Sequence, residues 1–279
     1  MGAQGPRAEG PVWIAIPARY ASSRFPGKPL VPLKGADGQA KPMVQRAWEV
    51  AMAVPGIDRV VVATDDARIA EAAAAFGADV AMTPDTCANG TERCAAVLSD
   101  AEAAARAGGS AAPGIVVNLQ GDAPLTPPRF ITALVHALQA DPAVAVATPV
   151  LATDAVALAR FRADRAAGRV GGTMAVMDAE GRALYFSKEV IPFGADAETV
   201  PAWHHVGVYA YRADALRRYA LLPGGTLERA EGLEQLRFLE QRIALHCVRV
   251  DSRGASFWEV NNPADVPVVE AALVEGGIA

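Results

Sequence analysis

The spacing of apolar runs is the feature of this sequence that most constrains its fold. Short runs such as PVWIAIPA and RVVVATDD alternate with stretches such as PMVQRAWEVAMAV and ARIAEAAAAFG, about every 25 to 30 residues through position 140. The short runs have the length of buried strands, and the longer stretches have the periodicity of helices. Gly77 is predicted to close the helix over ARIAEAAAAFG, and PRFITALVHALQA is predicted as a helix with prolines before its first turn. This alternation predicts an α/β protein with a Rossmann-like, mostly parallel sheet flanked by helices.

The pattern changes from about residue 143, where β-rich segments follow one another. AVAVATPVL, TMAVMDAEGRALYFS and HHVGVYAYR are β-rich, and a hairpin turn is predicted around Ala179, Glu180 and Gly181. Further on, we predict a loop over ALLPGGTLERAEG, a helix over LEQLRFLEQRIA and a closing helix capped by Asn262. Neither repeats nor a low-complexity linker interrupts the chain. We therefore expect one domain over residues 1–279, with residues 143–215 as a β-rich region inserted in it.

Charge and cysteine content limit the partners of the protein. The formal net charge of -5 gives no general attraction to nucleic acid or to an anionic membrane surface. Charges or prolines interrupt every apolar stretch before the ~18 residues of a membrane span. The three cysteines have neither the even count of a disulfide framework nor the spacing of a zinc site. We expect a cytoplasmic protein with a small-molecule partner and no contact with membrane or nucleic acid.

A basic loop follows the first predicted strand, in IPARYASSRFPGKPL at residues 16–30. Arg19, Arg24 and Lys28, together with Gly27, can supply the positive charge and the backbone N–H groups that a phosphate chain needs. The spacing is not that of a Walker loop, because Pro29 follows Gly27 and Lys28. The alternative is a surface loop whose charges are only solvated.

An aspartate stands at the end of another apolar strand, in IVVNLQGD. Mg²⁺ prefers one or two carboxylates together with substrate oxygens, so Asp122 is a candidate metal ligand. A turn former or helix cap is the alternative interpretation of such a residue. Ligands of doubly wound sheets gather at the carboxyl ends of the strands, so the basic loop and Asp122 are expected to share one crevice.

Six motifs, in this order, resemble a known family: IPARYASSRFPGKPL, ANGTERCAAV, VVNLQGDAP, RALYFSK, HVGVYAYR and LEQLRFLE. Together they are similar to the 3-deoxy-manno-octulosonate (KDO) cytidylyltransferases, over about residues 12 to 270. The resemblance implies a nucleotidyltransferase fold, CTP as donor, a small sugar acid as acceptor, Mg²⁺ as cofactor and a homodimer formed through the β-rich region. It also implies in-line attack of an acceptor oxygen on the α-phosphorus of CTP, with pyrophosphate leaving.

The resemblance assigns roles to individual residues. The catalytic residues it implies are Arg19, Lys28 and Asp122. The CTP-binding residues it implies are Ala18, Arg19, Arg24, Lys28, Asn89, Gly90, Thr91, Arg93 and Gln120. The acceptor-binding residues it implies are Lys188, His205, Tyr209, Glu234 and Gln235. The metal ligands it implies are Asp122 and Asn261.

Three positions depart from the family pattern. Ala123 stands where the family has a carboxylate in QGDEP, Asn261 replaces the second aspartate ligand of the metal, and Lys188 replaces the arginine of FSR. A neutral amide holds a metal ion less tightly than a carboxylate, and a lysine lacks the bidentate grip of a guanidinium. All three changes fall on the acceptor and metal side.

Three functions are compatible with this pattern. The first is transfer of CMP to KDO. The second is transfer of CMP to another small acid, such as a different ulosonate or a phosphonate, whose own charge could replace the missing carboxylates. The third is a nucleotide-binding relative without catalysis, which would bind CTP but release no pyrophosphate.

Overall fold

The structure is a computed structural model of the chain, and it describes residues 10–21, 25–170, 172–254, 258, 260 and 262–279. The strands are β1 (Val12–Pro17), β2 (Pro32–Lys34), β3 (Ala40–Pro42), β4 (Arg59–Thr64), β5 (Asp79–Met82), β6 (Ile115–Leu119), β7 (Val146–Ala152), β8 (Thr173–Met177), β9 (Ala183–Ser187), β10 (Trp203–His205), β11 (Val208–Arg212) and β12 (Leu245–Arg249). The α-helices are α1 (Met43–Met52), α2 (Ala67–Ala75), α3 (Gly90–Arg106), α4 (Pro128–Ala140), α5 (Ala155–Ala166), α6 (Ala213–Leu221), α7 (Thr226–Glu231), α8 (Leu236–Glu240) and α9 (Val266–Glu275). None of the helices in these ranges is long and apolar enough to cross a membrane.

One large sheet joins the two parts of the chain. Among the described residues its strand order is β5-β4-β1-β6-β11-β7-β10-β8-β9. Strands β11 and β10 both pair along one edge of β7, and β12 pairs along its opposite edge. The strands β5, β4, β1 and β6 are parallel, whereas β11, β10, β8 and β9 pair antiparallel with their neighbours. The predicted α/β fold is confirmed, with a parallel first half and a β-rich second half.

Strand β1 shows why an apolar run of this kind becomes a central strand. Val12, Ile14 and Ile16 point to one face of the sheet, where α1, α2 and α4 pack. Trp13 and Ala15 point to the other face, against α3 and α6. A strand covered on both faces needs apolar residues at every position. Each large side chain so buried contributes about 1.5–3 kcal/mol, which holds the strand ends in place.

Several local predictions are confirmed. Helix α4 has the predicted bounds, with Pro128 in its first turn, where a missing N–H costs nothing. Gly77 follows α2 with φ of 85°, and Gly181 turns the β8–β9 hairpin with φ of 86°. Asn262 lies one turn before α9 rather than at its first residue. It caps a short 3-10 helix at Pro263–Asp265, which runs into α9.

Two predictions in the region 220–244 are wrong, and α5 and α6 were not predicted. The segment HHVGVYAYR is β-rich as predicted and forms two strands: β10 pairs with β7 and β8, and β11 pairs with β7 and β6. The break at 206–207 lets the chain change neighbours. The predicted loop ALLPGGTLERAEG contains α7 and the last residues of α6. The predicted helix over LEQLRFLEQRIA is only α8, which ends at Glu240 shortly before Arg242 with φ of 55°.

The β-rich half curls back on itself. Strand β12 pairs with β7 along one edge. On the opposite edge of β12, the backbone N–H of Cys247 donates to the carbonyl of Gly181 at 2.7 Å, and His246 forms a β-bridge with Arg182. The turn of the β8–β9 hairpin is thereby held against β12. Phe186 and Cys247 are buried in the same core cluster.

Candidate active site

The ends of β1 and β6 lie side by side and define the position of the site. The backbone N–H of Gly121 donates to the carbonyl of Pro17 at 3.3 Å, and a Cβ added at Gly121 would lie 3.0 Å from that oxygen. Strand β1 has β4 on one side and β6 on the other, so the strand order reverses there. Open α/β sheets bind their ligands in the crevice at such a reversal.

The basic loop leaves β1 at this crevice. Ala18 is buried, and its N–H donates to the carbonyl of Ala63 at 2.9 Å, whereas Arg19 is exposed. The loop closes where the N–H of Gly27 donates to the carbonyl of Tyr20 at 2.9 Å. Gly27 has φ of 71°, and a Cβ there would lie 3.1 Å from the Tyr20 ring, so glycine is required at this turn. Arg24 lies outside the described residues.

Lys28 joins the basic loop to the end of β6. Its ammonium forms an ion pair with the carboxylate of Asp122, 94 positions away, and donates to the carbonyl of Val260 at 3.0 Å. The Lys28 and Asp122 side chains are only 15% and 28% exposed, so the pair lies at the floor of the crevice. The structure thus brings together the basic loop and the strand-end carboxylate.

The oxygens around Lys28 suit a divalent cation. A carboxylate and a backbone carbonyl face one positively charged nitrogen, and Mg²⁺ takes one or two carboxylates with the remaining positions left to water and substrate oxygens. Asn261, the other predicted ligand, lies outside the described residues. Within the described part of the chain, no group of three or more His, Cys, Asp or Glu residues could hold a metal ion. The donor set fits a one-carboxylate magnesium site.

The start of α3 lies against the end of β6. Asn89 caps the helix, because its side-chain oxygen accepts from the N–H of Glu92 at 2.9 Å. A Cβ added at Gly90 would lie 2.7 Å from the amide nitrogen of Gln120 and 3.1 Å from that of Asn118. Glycine leaves room for both amides against the helix start, because a larger residue would displace them. Four of the predicted nucleotide residues, Asn89, Gly90, Thr91 and Gln120, are thus close together.

Arg93 lies on α3, one helical turn after Asn89. Its side chain is 3% exposed, donates to the hydroxyl of Thr83 and pairs with Asp65 at 3.3 Å. These contacts tie α3 to the ends of β4 and β5. In this structure the guanidinium is therefore engaged with protein groups.

The predicted acceptor residues on the sheet are buried. His205 is hydrogen-bonded to the hydroxyl of Thr148 at 2.9 Å and packs edge-on against Phe186, with ring centroids 5.1 Å apart. Tyr209 lies next to it, at 5.5 Å between ring centroids. Burial lowers the pKa of His205 to about 3, so the imidazole is neutral at physiological pH. This arrangement suits an uncharged hydrogen-bonding group rather than a proton carrier.

The other acceptor residues lie at the start of α8 and the end of β9. The carboxylate of Glu234 accepts from the N–H of Thr91 at 3.1 Å, and burial raises its pKa to about 7. Gln235 is 2% exposed, and its side-chain nitrogen has no hydrogen-bond partner among the described residues. An unpaired buried amide costs ~1–3 kcal/mol, so a ligand oxygen that reached it would stabilise the protein. The N–H of Lys188 donates to Glu231 at 3.0 Å, which ties the end of β9 to α7.

Sequence reasoning missed a set of residues behind these two groups. Tyr219, Arg237 and Glu92 connect the start of α3 with the start of α8. One signal for this set is visible in the sequence: Arg237 stands among apolar residues in LEQLRFLE. The structure shows that Arg237 is buried. A buried arginine needs carboxylate partners, so an arginine at such a position predicts that carboxylates from other elements lie close to it.

The chain is a nucleotidyltransferase by its match to a family profile and by its similarity to a solved structure of the same α/β fold. The family profile described as cytidylyltransferase matches residues 13–245. Because that match covers most of the chain, the protein belongs to the cytidylyltransferase family.

Individual relatives agree with this assignment. The chain is 45% identical to a 3-deoxy-manno-octulosonate cytidylyltransferase of Maricaulis maris, over 95% of this chain and 98% of the relative. It is 39% identical to an 8-amino-3,8-dideoxy-manno-octulosonate cytidylyltransferase of Shewanella loihica, over 94% of this chain and 98% of the relative. Among solved structures, it is similar to a CMP:2-keto-3-deoxy-manno-octonic acid synthetase complexed with CTP, with a TM-score of 0.80, 36% identity, and coverage of 95% and 99% of the two chains.

Proposed function

We propose that the protein transfers CMP from CTP to KDO, or to a closely related sugar acid, and releases pyrophosphate. The names of its relatives support this reaction. The structural observation that carries it is the contact between Lys28 and Asp122, because it joins a phosphate-binding type of loop to a metal-binding type of residue in one crevice. Charges that were only solvated at the surface would not be expected to form a largely buried ion pair.

The chain's own residues support an in-line transfer. Arg19 and Lys28 would neutralise the charge that grows on the leaving pyrophosphate, and the start of α3 with Gln120 would hold the nucleoside. Phosphoryl transfer depends on positioning and charge neutralisation rather than on covalent chemistry by the protein. The ammonium of Lys28 would then exchange the Asp122 carboxylate for phosphate oxygens when the nucleotide binds.

We propose Mg²⁺ as the cofactor, held by Asp122 with the carbonyl of Val260 nearby, and Asn261 remains a proposed ligand. When bound, the ion would neutralise phosphate charge and lower the pKa of the attacking hydroxyl. Asp122 would hold its carboxylate ready for the ion, since the carboxylate has no other described partner than Lys28.

On the acceptor side, we propose that Lys188, His205, Tyr209, Glu234 and Gln235 bind the sugar acid. Relatives named for the 8-amino sugar share nearly as much identity as those named for KDO, so the 8-amino compound is the second candidate acceptor. The relatives give no support to the phosphonate acceptor that the sequence left open. A non-catalytic role remains an outcome of the test below.

We also propose a homodimer formed through the β-rich region and a cytoplasmic location. Exposed large apolar side chains in this region support the dimer: Val156, Val170, Leu184, Phe193 and Val200. Cys87, Cys94 and Cys247 are free thiols, which supports a reducing compartment.

The reaction is tested by incubating the protein with CTP, Mg²⁺ and one acceptor at a time, and by measuring pyrophosphate release. KDO, the 8-amino sugar and a phosphonate form the three arms. We expect turnover with KDO or the 8-amino sugar. CTP binding without pyrophosphate release in any arm would indicate the non-catalytic relative instead.

The role of Asp122 is tested with Asp122→Ala, and with Asp100→Ala on the exposed side of α3 as the matched control. We expect Asp122→Ala to lose at least about 100-fold in kcat, because charge stabilisation at the reacting phosphate is lost. Its circular dichroism spectrum should match that of the control. A folded Asp122→Ala protein with near-normal turnover would contradict the metal role.

A further inference from the structure

The hydroxyl of Tyr219 lies between the nucleotide group and the acceptor group of the proposed site. The side-chain amide of Asn89 donates to this hydroxyl at 3.0 Å. The hydroxyl in turn donates to the backbone carbonyl of Glu234 at 3.3 Å. A carbonyl can only accept, so the phenol proton points to Glu234 and the phenol lone pair faces Asn89. One oxygen atom thus connects the cap of α3 with the residues just before α8.

The tyrosine is held so that its hydroxyl has little freedom. Its side chain is fully buried, its ring packs against Phe238 at 4.7 Å between centroids, and the guanidinium of Arg237 lies 4.3 Å from the ring centre. Burial raises the pKa of the Tyr219 phenol well above its usual range, so the proton donated to Glu234 stays in place. The ring is therefore a rigid support for a bridging oxygen.

Neighbouring contacts connect the same two helix starts. The N–H of Thr91 donates to the carboxylate of Glu234 at 3.1 Å. Arg237 pairs with Glu92 at 2.9 Å, and the other oxygen of Glu92 accepts from the N–H of Ala88 at 2.7 Å. Because these contacts already fix the fold here, the Tyr219 hydroxyl is not needed to keep the helices together. Its specific effect is on the orientation of the Asn89 side chain and the Glu234 backbone.

We propose that Tyr219 is a positioning residue that sets the nucleotide side and the acceptor side of the site relative to each other. The proposal rests on the proposed function, because Asn89 is taken as a CTP residue and Glu234 as an acceptor residue. Removing the hydroxyl takes one hydrogen bond from each side. Among the described residues, the Asn89 side chain keeps the cap contact with the N–H of Glu92, and the Glu234 carbonyl keeps the N–H of Arg237, so each group can turn about its remaining contact. Both substrates are then bound less well, because the effect of Tyr219 passes through Asn89 and Glu234.

The experiment compares wild type, Tyr219→Phe and a matched control, Tyr185→Phe. Phenylalanine keeps the ring, its packing on Phe238 and its contact with Arg237. In the control, Tyr185 loses a contact with Glu231 at 3.4 Å, and Glu231 keeps Ser187 and Lys188 as donors. The readouts are the Kd for CTP by calorimetry without acceptor, the KM for KDO, kcat and Tm.

We expect Tyr219→Phe to raise both the Kd for CTP and the KM for KDO by about 3- to 10-fold, the range that one lost hydrogen bond produces. The value of kcat should stay within about twofold, because the loss affects ground state and transition state alike. The control should change neither constant by more than about twofold. A rise in only one constant, or in neither, overturns the proposal.

A double-mutant cycle separates positioning from general loosening. In Asn89→Ser, the serine still caps α3, but it has no amide to donate to Tyr219. If the shared hydrogen bond is what matters, Tyr219→Phe adds less than about twofold to the Kd for CTP in the Asn89→Ser protein. Full additivity overturns the proposal.

Asn89→Ser also provides the test if Tyr219→Phe fails to fold. It breaks the same bond from the nucleotide side, so it must raise the KM for KDO as well as the Kd for CTP. Failure of the proposed function is a different result: in that case the wild-type protein itself neither binds CTP nor releases pyrophosphate.

Discussion

A single ammonium group, that of Lys28, holds the two halves of the proposed catalytic site together. It contacts the carboxylate of Asp122 and the carbonyl of Val260, the same oxygens that we propose for the metal ion. A lysine and a divalent cation cannot both occupy contact positions on one small donor set without repulsion. In the absence of nucleotide, Lys28 should therefore weaken metal binding.

We predict that Lys28→Met binds Mn²⁺ at least about 3-fold more tightly than the wild-type protein when no nucleotide is present, because the competing positive charge is gone. The free Mn²⁺ signal in electron paramagnetic resonance measures this binding. Lys34→Met, at an exposed position on β2, is the control and should bind like wild type. An unchanged or weaker Mn²⁺ affinity in Lys28→Met would contradict the competition.

Glu234 makes a prediction about pH. Burial raises its pKa to about 7, while the N–H of Thr91 and the charge of Arg237 oppose the rise and Glu228 adds to it. A raised carboxyl pKa contributes stability that is complete below the unfolded pKa, near 4.5, and is lost as the pH rises through 7. Glu234→Gln should remove this loss, which is on the order of 3 kcal/mol.

Urea unfolding at several pH values between 4.5 and 8 measures the effect. We expect the free energy of unfolding to fall less steeply across this range in Glu234→Gln than in Glu71→Gln, a control at an exposed position on α2. Parallel pH profiles for the two variants would show that the Glu234 carboxyl titrates normally.

At the scale of the elements, short helices are joined mainly by one buried arginine. Arg237, on α8, is bidentate with Glu228 of α7, and it also pairs with Glu92 of α3. The guanidinium lies over the ring of Tyr219 on α6. Helices as short as α7 and α8 are unstable in isolation, so these contacts determine whether they form.

We predict that Arg237→Met lowers the free energy of unfolding by roughly 3–5 kcal/mol, because two carboxylates lose their buried partner. Arg217→Met is the matched control: this arginine of α6 pairs with Glu102 and Asp214 at the surface, and its loss should cost less than about 1 kcal/mol. Denaturant unfolding of both variants tests the difference. Equal losses would mean that the Arg237 network does not stabilise these helices.

The elements also show what the sequence could and could not predict. Helix α4 was predictable because its signals are local: a proline at the start and an apolar face of helical period. Helix α7 was not, because it buries no side chain and its first turn depends on Glu240, whose carboxylate accepts from the N–H groups of Leu227 and Glu228. The bend between β10 and β11 was hidden by an apolar pattern that continues across it.

The candidate site divides in the same way. Lys28 and Asp122 were predictable because each follows a strand whose end lies at the same edge of a parallel sheet. The Tyr219 bridge was not, because its partner Asn89 lies 130 positions away on another helix. Such a contact depends on the packing of α3 against α6, for which the spacing of residues in one sequence gives no signal.

At the scale of the whole molecule, the β-rich region exposes apolar side chains that a partner could cover. Phe193 is completely exposed, and Val156 and Leu184 are 79% and 60% exposed. Exposed side chains of this size mark contact surfaces when they cluster. This region is where we propose the homodimer contact.

We predict a solution mass near twice the 29.0 kDa of the chain, measured by light scattering after size exclusion. Phe193→Asp should shift the protein toward the monomer, because a charge would be buried in an apolar contact. Leu221→Asp, at an exposed apolar position on α6 outside the region, is the control and should leave the mass unchanged. A wild-type monomer would rule out the homodimer.

The curl of the β-rich half also determines the order in which the protein can be completed during synthesis. Strand β12 spans Leu245–Arg249, about a hundred residues after β7, so one edge of β7 stays without its partner until the ribosome has passed Arg249. Until then, a nascent chain presents an open strand edge and apolar groups that later become core, and both favour association with other chains. Premature termination before Leu245 should thus yield aggregated polypeptide rather than a smaller working enzyme.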